Sequence, residues 1–333
     1  VTGTAVFVGN VADRFDSYAV SRAFGGLENI IFLLNDHTFR IVALGCTILG
    51  VCCGILGSFA FLRKQSLLGD AVAHASLPGV CIAFLLTNTK NTEYLLGGAL
   101  ISGIICILLI HIIQKYTKIK FDSILAFILS SFFGFGLVLL SYLNKLPGAN
   151  KSGLNKFIFG QASTLLTKDV VLIFCVSVIL IGLVILFWKE FKIISFDPEY
   201  AEIIGFSAKN TGTFLSVLIV VCIIIGIQTV GVILISSMLI APAAAARQWT
   251  QKLSVMVLLA GFFGGLSSIT GTIISSSYGK LPTGPVIAVI VSLLVFISIL
   301  FSPVRGIIFT KHLLRNKRKK FEHRGGKALG NKY

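Results

Sequence analysis

Asp70 and His74 are the residues whose types and spacing could do chemistry. They stand four apart in Gly69-Asp70-Ala71-Val72-Ala73-His74-Ala75, inside an otherwise apolar run. On a helix that spacing puts both side chains on one face. A carboxylate oxygen and an imidazole nitrogen together suit borderline or hard divalent cations, Mn, Fe or Zn, more than Cu(I). The competing reading is a mutually hydrogen-bonded pair that only packs helices. A helix starting at Gln65 carries His74 roughly 13 Å inward at 1.5 Å per residue, near the middle of a bilayer. An ionisable pair is expensive there, which favours an ion path over simple packing.

The other titratable residues are weaker candidates. Asp36 and His37 fall at the mouth of the first apolar run as solvated interface residues, His111 lies one turn before a basic loop, and His312 and His323 belong to a charged tail. Cys46, Cys52, Cys53, Cys81, Cys106, Cys175 and Cys222 all lie in apolar runs, without a Cys-x-x-Cys pair, and read as small buried hydrophobes. A thiolate metal site among them is the sharper alternative, disfavoured because desolvation raises a thiol's pKa. The abundant Phe is explained by lipid contact and core packing. No catalytic residue and no permanently bound cofactor emerges. The motifs G-x-x-x-x-G-K-[ST], H-E-x-x-H and G-x-S-x-G are absent, so the chain is not expected to be an enzyme, and any ATP is hydrolysed by another subunit.

The elements that must position Asp70 and His74 are helices in lipid. The chain has 333 residues, 55% hydrophobic and 13% charged, with a mean hydropathy of +0.93, where soluble domains carry roughly a quarter charged residues. Its apolar residues gather in runs of about 20, enough for an α-helix to cross roughly 30 Å of hydrocarbon. This excludes a water-soluble enzyme, a disordered chain and a disulfide scaffold, and continuous runs argue against the alternating strands of a membrane barrel. The expected fold class is all-α, a polytopic helical membrane protein. Spans are predicted at residues 38–62, 67–86, 94–114, 122–143, 170–188, 211–227, 253–275 and 282–301. The apolar stretch 211–239 is too long for one perpendicular span, and Gly226, Gln228, Thr229 and Gly231 divide it into a full span and a returning arm over 231–246. Asp197-Pro198-Glu199 marks the start of a short surface helix, and an amphipathic piece is expected at 157–166.

Three regions follow: a leader of unassigned role at 1–29, a membrane domain at 30–310 and a basic tail at 311–333. The leader shows no basic start before a long apolar core, so no signal peptide is expected. The formal charge is +16, and ten of the 29 Lys and Arg residues lie from Arg305 onward against one acid, Glu322. A basic tail after a final apolar helix is a cytoplasmic anchor whose partner is anionic lipid, not nucleic acid. With the arm counted as a crossing, twenty basic residues fall on the side of the tail and nine on the other. That bias places the amino end outside and the carboxyl end in the cytoplasm.

The run from Arg63 to Gly79, RKQSLLGDAVAHASLPG, resembles the hallmark of the membrane permeases of bacterial metal-ion ABC importers, the manganese, zinc and iron group. Ser236-Ser237-Met238-Leu239-Ile240-Ala241-Pro242-Ala243-Ala244-Ala245-Ala246-Arg247 is similar to that family's second signature, and Lys280-Leu281-Pro282-Thr283-Gly284-Pro285 to a third. The match runs in consistent order over about residues 30–310; the leader and the tail fall outside it. The resemblance implies a permease in the bacterial plasma membrane. Its partners would be a second permease, copy or homologue, two cytoplasmic ATPase subunits and an extracytoplasmic metal-binding protein. It further implies that Asp70 and His74 face the pore and hold the passing ion, with Leu77-Pro78-Gly79 leaning toward manganese and iron members. ATPase coupling is expected at Ala241, Pro242, Arg247 and Trp249, in a docking helix over 241–249 opened by the proline, with Arg and Trp as anchors. The alternatives are a gradient-driven secondary transporter using Asp70 and His74 as a relay, against which no inverted repeat is found, and an intramembrane enzyme, which lacks a nucleophile and base.

Overall fold

The computed structural model describes residues 37–89, 91–145, 165–278, 281–304 and 306. Among these are eleven helices and no strand: α1 (His37–Leu62), α2 (Leu68–Thr87), α3 (Thr92–Tyr116), α4 (Phe121–Lys145), α5 (Thr167–Leu186), α6 (Trp188–Phe196), α7 (Pro198–Ile203), α8 (Ala208–Val230), α9 (Val232–Trp249), α10 (Leu253–Tyr278) and α11 (Thr283–Phe301). Eight of them, α1 to α5, α8, α10 and α11, are long and apolar enough to cross a membrane. The expected all-α membrane architecture is therefore present, span for span. The leader, the tail beyond residue 306, Asp36 and most of the amphipathic piece at 157–166 lie outside the described residues.

Small residues set the packing, because in lipid the gain comes from close backbone approach and not from expelling water. A Cβ on Gly54 would run into the backbone of Ala260, and one on Gly50 into Gly264, so α1 and α10 touch through main chain. Gly79 of α2 meets Gly98 of α3 in the same way, and the Ser102 hydroxyl donates to the Ala75 carbonyl at 2.6 Å across that seam. In each pair the contact numbers rise on one helix as they fall on the other, so α1 and α10 are antiparallel, as are α2 and α3. Trp249 near the end of α9 donates its indole N–H to Ser298 near the end of α11, at 3.0 Å. Ala243 and Ala246 of α9 cluster with Phe61 and Leu62, so the arm returns to the end of the bundle where α1 finishes.

Three local features differ from expectation. The break between α8 and α9 is a single residue, Gly231, whose φ of +91° is left-handed space that favours glycine. Helix α8 begins at Ala208 and not at 211, because Ser207 caps it by accepting from the Asn210 N–H. The run that closes the fifth span turns at Phe187 into a separate helix, α6, held by the edge-on pairing of Phe59 with Trp188 at 5.8 Å and with Phe191 at 5.9 Å. The short surface helix expected after Asp197 is α7, with Pro198 in its first turn and the Asp197 carboxylate accepting from the Tyr200 N–H at 2.9 Å.

Helix α1 stops because Lys64 adopts a left-handed φ of 57°. The Gln65 N–H then donates back to the Ala60 carbonyl and the Lys64 N–H to the Phe61 carbonyl, the pair of hydrogen bonds that closes a helix in the Schellman fashion. This turn tucks Arg63 and Gln65 inward and aims the chain into α2.

Candidate functional site

Asp70 is the third residue of α2, which begins at Leu68 and not at Gln65. A carboxylate in the first turn complements the positive end of the helix dipole. The later start does not make the pair shallow. A Cβ on Gly69 would lie 3.3 Å from Ser236 of α9, and thirteen residues of helix, about 20 Å, separate Ser236 from Trp249. Gly69 thus presses the first signature against the second, with Asp70 at the junction.

His74 follows one turn on. Its ring stands edge-on to Phe133 of α4, centroids 4.6 Å apart, which fixes its plane. Its Nδ1 is buried without a hydrogen-bond partner. Asp70 is half-buried, close enough for its charge to act on the imidazole. Among the described residues the carboxylate accepts no hydrogen bond and forms no ion pair. The packing alternative required the two groups to satisfy one another, and they do not. Pro78, four residues on and inside α2, cannot donate the helical hydrogen bond to the His74 carbonyl.

The third signature joins the same assembly. A Cβ on Gly284 would lie 2.8 Å from the Val230 carbonyl and 3.2 Å from Leu234, so α11 seats on the α8–α9 bend. Ser275 donates to the Leu281 carbonyl at 2.7 Å and pairs with the Thr283 hydroxyl at 3.0 Å, closing the α10–α11 turn. All three signature runs therefore converge on α9. Among the described residues no group of three or more His, Cys, Asp or Glu side chains is arranged to hold an ion.

The docking-helix boundary is corrected. Residues 241–249 are not a separate element but the last half of α9, with Pro242 inside it. Ala243, Ala245 and Ala246 are buried, the first and last against Met256 and Ala260 of α10, so the alanines serve packing within the chain. Arg247 donates to the Gln251 carbonyl at 3.2 Å, and Trp249, partly exposed, is tied to Ser298. The exposed apolar knuckle at this end lies instead on and beside α7, where Ile203 is 82% exposed and Tyr200, Ile204 and Phe206 are exposed with it. Sequence reasoning placed that helix but missed the surface; the signal was four large apolar residues outside any span.

The cysteines mostly behave as small hydrophobes. Cys53 and Cys222 lie 3.6 Å apart and Cys222 and Cys52 3.7 Å, sulfur to sulfur, all buried between α1 and α8. Cys175 is the exception, exposed because the buried face of α5 runs through Ile173, Ser177, Leu180 and Val184.

Known proteins resemble the chain over most of its length. The ABC 3 transport family matches residues 35–302. The zinc transport system membrane protein TroC of Treponema pallidum is 47% identical over 283 residues, 85% of this chain and 95% of that protein. The manganese transport system membrane protein MntC of Bacillus subtilis is 43% identical over 280 residues, 84% of this chain and 64% of its own length. In structure, PsaBC from Streptococcus pneumoniae in complex with Fab superposes with a TM-score of 0.74 at 29% identity, covering 86% of this chain and 99% of that one.

Proposed function

This chain belongs to the ABC 3 transport family and is a membrane permease of a metal ABC transporter, from which we propose that it carries a divalent first-row metal ion into the cytoplasm. The observation that carries this reading is the unsatisfied pair: a buried imidazole nitrogen without a partner beside a carboxylate without one, where the first signature abuts the second. Leaving such groups unpaired in a low-dielectric interior is costly unless a transient occupant serves them. One carboxylate and one imidazole are too few for a divalent cation. Two permeases meeting at a pore present two of each, with water completing the shell. Release stays easy because neither chain holds the ion alone.

Mn2+ is the favoured ion, and the Leu77-Pro78-Gly79 run leans toward manganese and iron members rather than zinc members. The zinc name of the relative at 47% identity makes Zn2+ the second reading, and an Asp–His set accommodates either. The Arg63 end of the bundle faces the cytoplasm on the charge bias. There ATPase subunits dock, hydrolysing the ATP that this chain does not, on the α7 knuckle together with Arg247 and Trp249. An extracytoplasmic metal-binding protein delivers the ion at the opposite face.

Proteoliposomes containing this chain and its ATPase test the reading. Uptake of Mn2+, Fe2+ and Zn2+ is measured with and without ATP. ATP-dependent entry of one of the three is expected, and uptake indifferent to ATP would refute it. For docking, Ile203→Asp and Arg247→Glu should each reduce ATPase co-purification; if neither does, that surface is wrongly placed.

A further inference from the structure

A second polar site lies at the Arg63 end, apart from Asp70 and His74. Here a cavity of about 310 Å³ is lined by Arg63, His111, Gln114, Lys115, Glu202 and Lys209. They come from the α1–α2 turn, the end of α3, α7 and the start of α8. Three permanent cations and a histidine face one carboxylate. Arg63 and Lys209 are close enough for their charges to act on His111, whose buried Nε2 has no hydrogen-bond partner. Arg63 is anchored by donating to the Gly212 carbonyl at 3.1 Å. Ala208 at the start of α8 also lines the cavity, adding the positive end of a 23-residue helix.

We propose that this cavity binds a phosphate-bearing anion. Converging like charges repel, and an anion of that size removes the repulsion while giving the guanidinium, two ammonium groups and the imidazole nitrogen a common partner. Burial already pulls the Arg63 guanidinium below its ordinary value, a penalty that a bound anion relieves. The level of the site fits a lipid headgroup: Tyr116 beside it is exposed and carries Lys115 at 5.1 Å from its ring centroid, the placement of an interfacial aromatic. Free phosphate offers the same oxygens, and the test separates the two sources.

The full chain, purified in detergent and stripped of lipid, is titrated with phosphatidylglycerol, phosphatidylcholine or inorganic phosphate. Bound lipid is counted by native mass spectrometry, and melting temperature is followed in parallel. Phosphatidylglycerol should bind in preference to phosphatidylcholine and raise the melting temperature. Lys115 and Lys209 are exposed, so Lys115→Gln with Lys209→Gln should leave the fold intact yet weaken binding about twenty-fivefold, roughly fivefold for each cation. Gly212→Ala should weaken it without removing a charge, since its Cβ would lie 2.8 Å from the Arg63 guanidinium. If inorganic phosphate alone reproduces the stabilisation in wild type and loses it in the double variant, the anion is soluble phosphate. Equal affinity in wild type and double variant overturns the proposal. So does protection of Lys115 and Lys209 from acetylation by the ATPase subunit alone, with no effect of either phosphate probe, because a protein carboxylate then fills the cavity. None of these readouts depends on transport.

Discussion

Replacing Asp70 with Asn separates a ligand from a packing residue, because the two roles predict different magnitudes. The side chains are nearly isosteric, so no cavity forms. The carboxylate accepts no hydrogen bond among the described residues, so none is lost. What disappears is one negative charge in the first turn of α2, worth about 0.3–1 kcal/mol against the helix dipole. For a chain of this size that is a melting shift of roughly 4 °C or less. Transport should fall far more. Loss of a group that merely orients a metal ligand costs 10–100-fold in affinity or activity, so loss of a charged ligand itself should cost at least about 100-fold. The assay is ATP-driven metal uptake in proteoliposomes, paired with melting of the same preparation in detergent. Near-normal uptake refutes the reasoning. Equally damaging is a melting loss of 10 °C or more, which would mean that Asp70 holds the fold.

Gly57→Ala should destabilise the chain by about 1–3 kcal/mol, because its Cβ falls on the Leu239 carbonyl of α9, whereas Gly134→Ala, with open space around it, should be neutral or slightly stabilising; thermal melting of both distinguishes them. Trp249→Phe removes the donor to Ser298, whose hydroxyl is buried, and should cost about 1–3 kcal/mol in the same measurement. In a background where the exposed Cys175 is replaced by Ala, Thr89→Cys should be labelled by a membrane-impermeant thiol reagent from outside intact cells and Lys118→Cys only after permeabilisation. Labelling of both from one side would overturn the orientation.

Much of this architecture could be read from the chain because lipid imposes a coarse rule: a span must be long and apolar, and charges gather at its ends. The Asp70–His74 pair was legible for the same reason, since two ionisable groups four apart stand out in an apolar run. Tertiary relations were not. Nothing in the sequence said that Gly69 abuts Ser236, because the contact joins residues far apart and depends on two glycine-permitted approaches. The docking-helix boundary failed because Pro242 was read as a break, while α9 accommodates it within a continuous helix packed on both α1 and α10. Helix α6 was not foreseen because Lys189, Glu190 and Lys192 look like the polar close of the fifth span, and the aromatic contacts around Phe59 and Phe191 that hold it are tertiary.

The unbroken course of α9 ties its two ends by rotational phase. Each residue of an α-helix advances by about 100°, so the azimuth of Ser236 beside Gly69 dictates the azimuth of Trp249 beside Ser298. A single alanine inserted after Ile240 would leave Ser236 in register and swing Arg247 and Trp249 about 100° away from α11. Four inserted residues would nearly restore the phase while lengthening the rod by about 6 Å. Transport should therefore fail with one insertion and recover in part with four, a helical dependence that a flexible connection between ion path and membrane surface would not show.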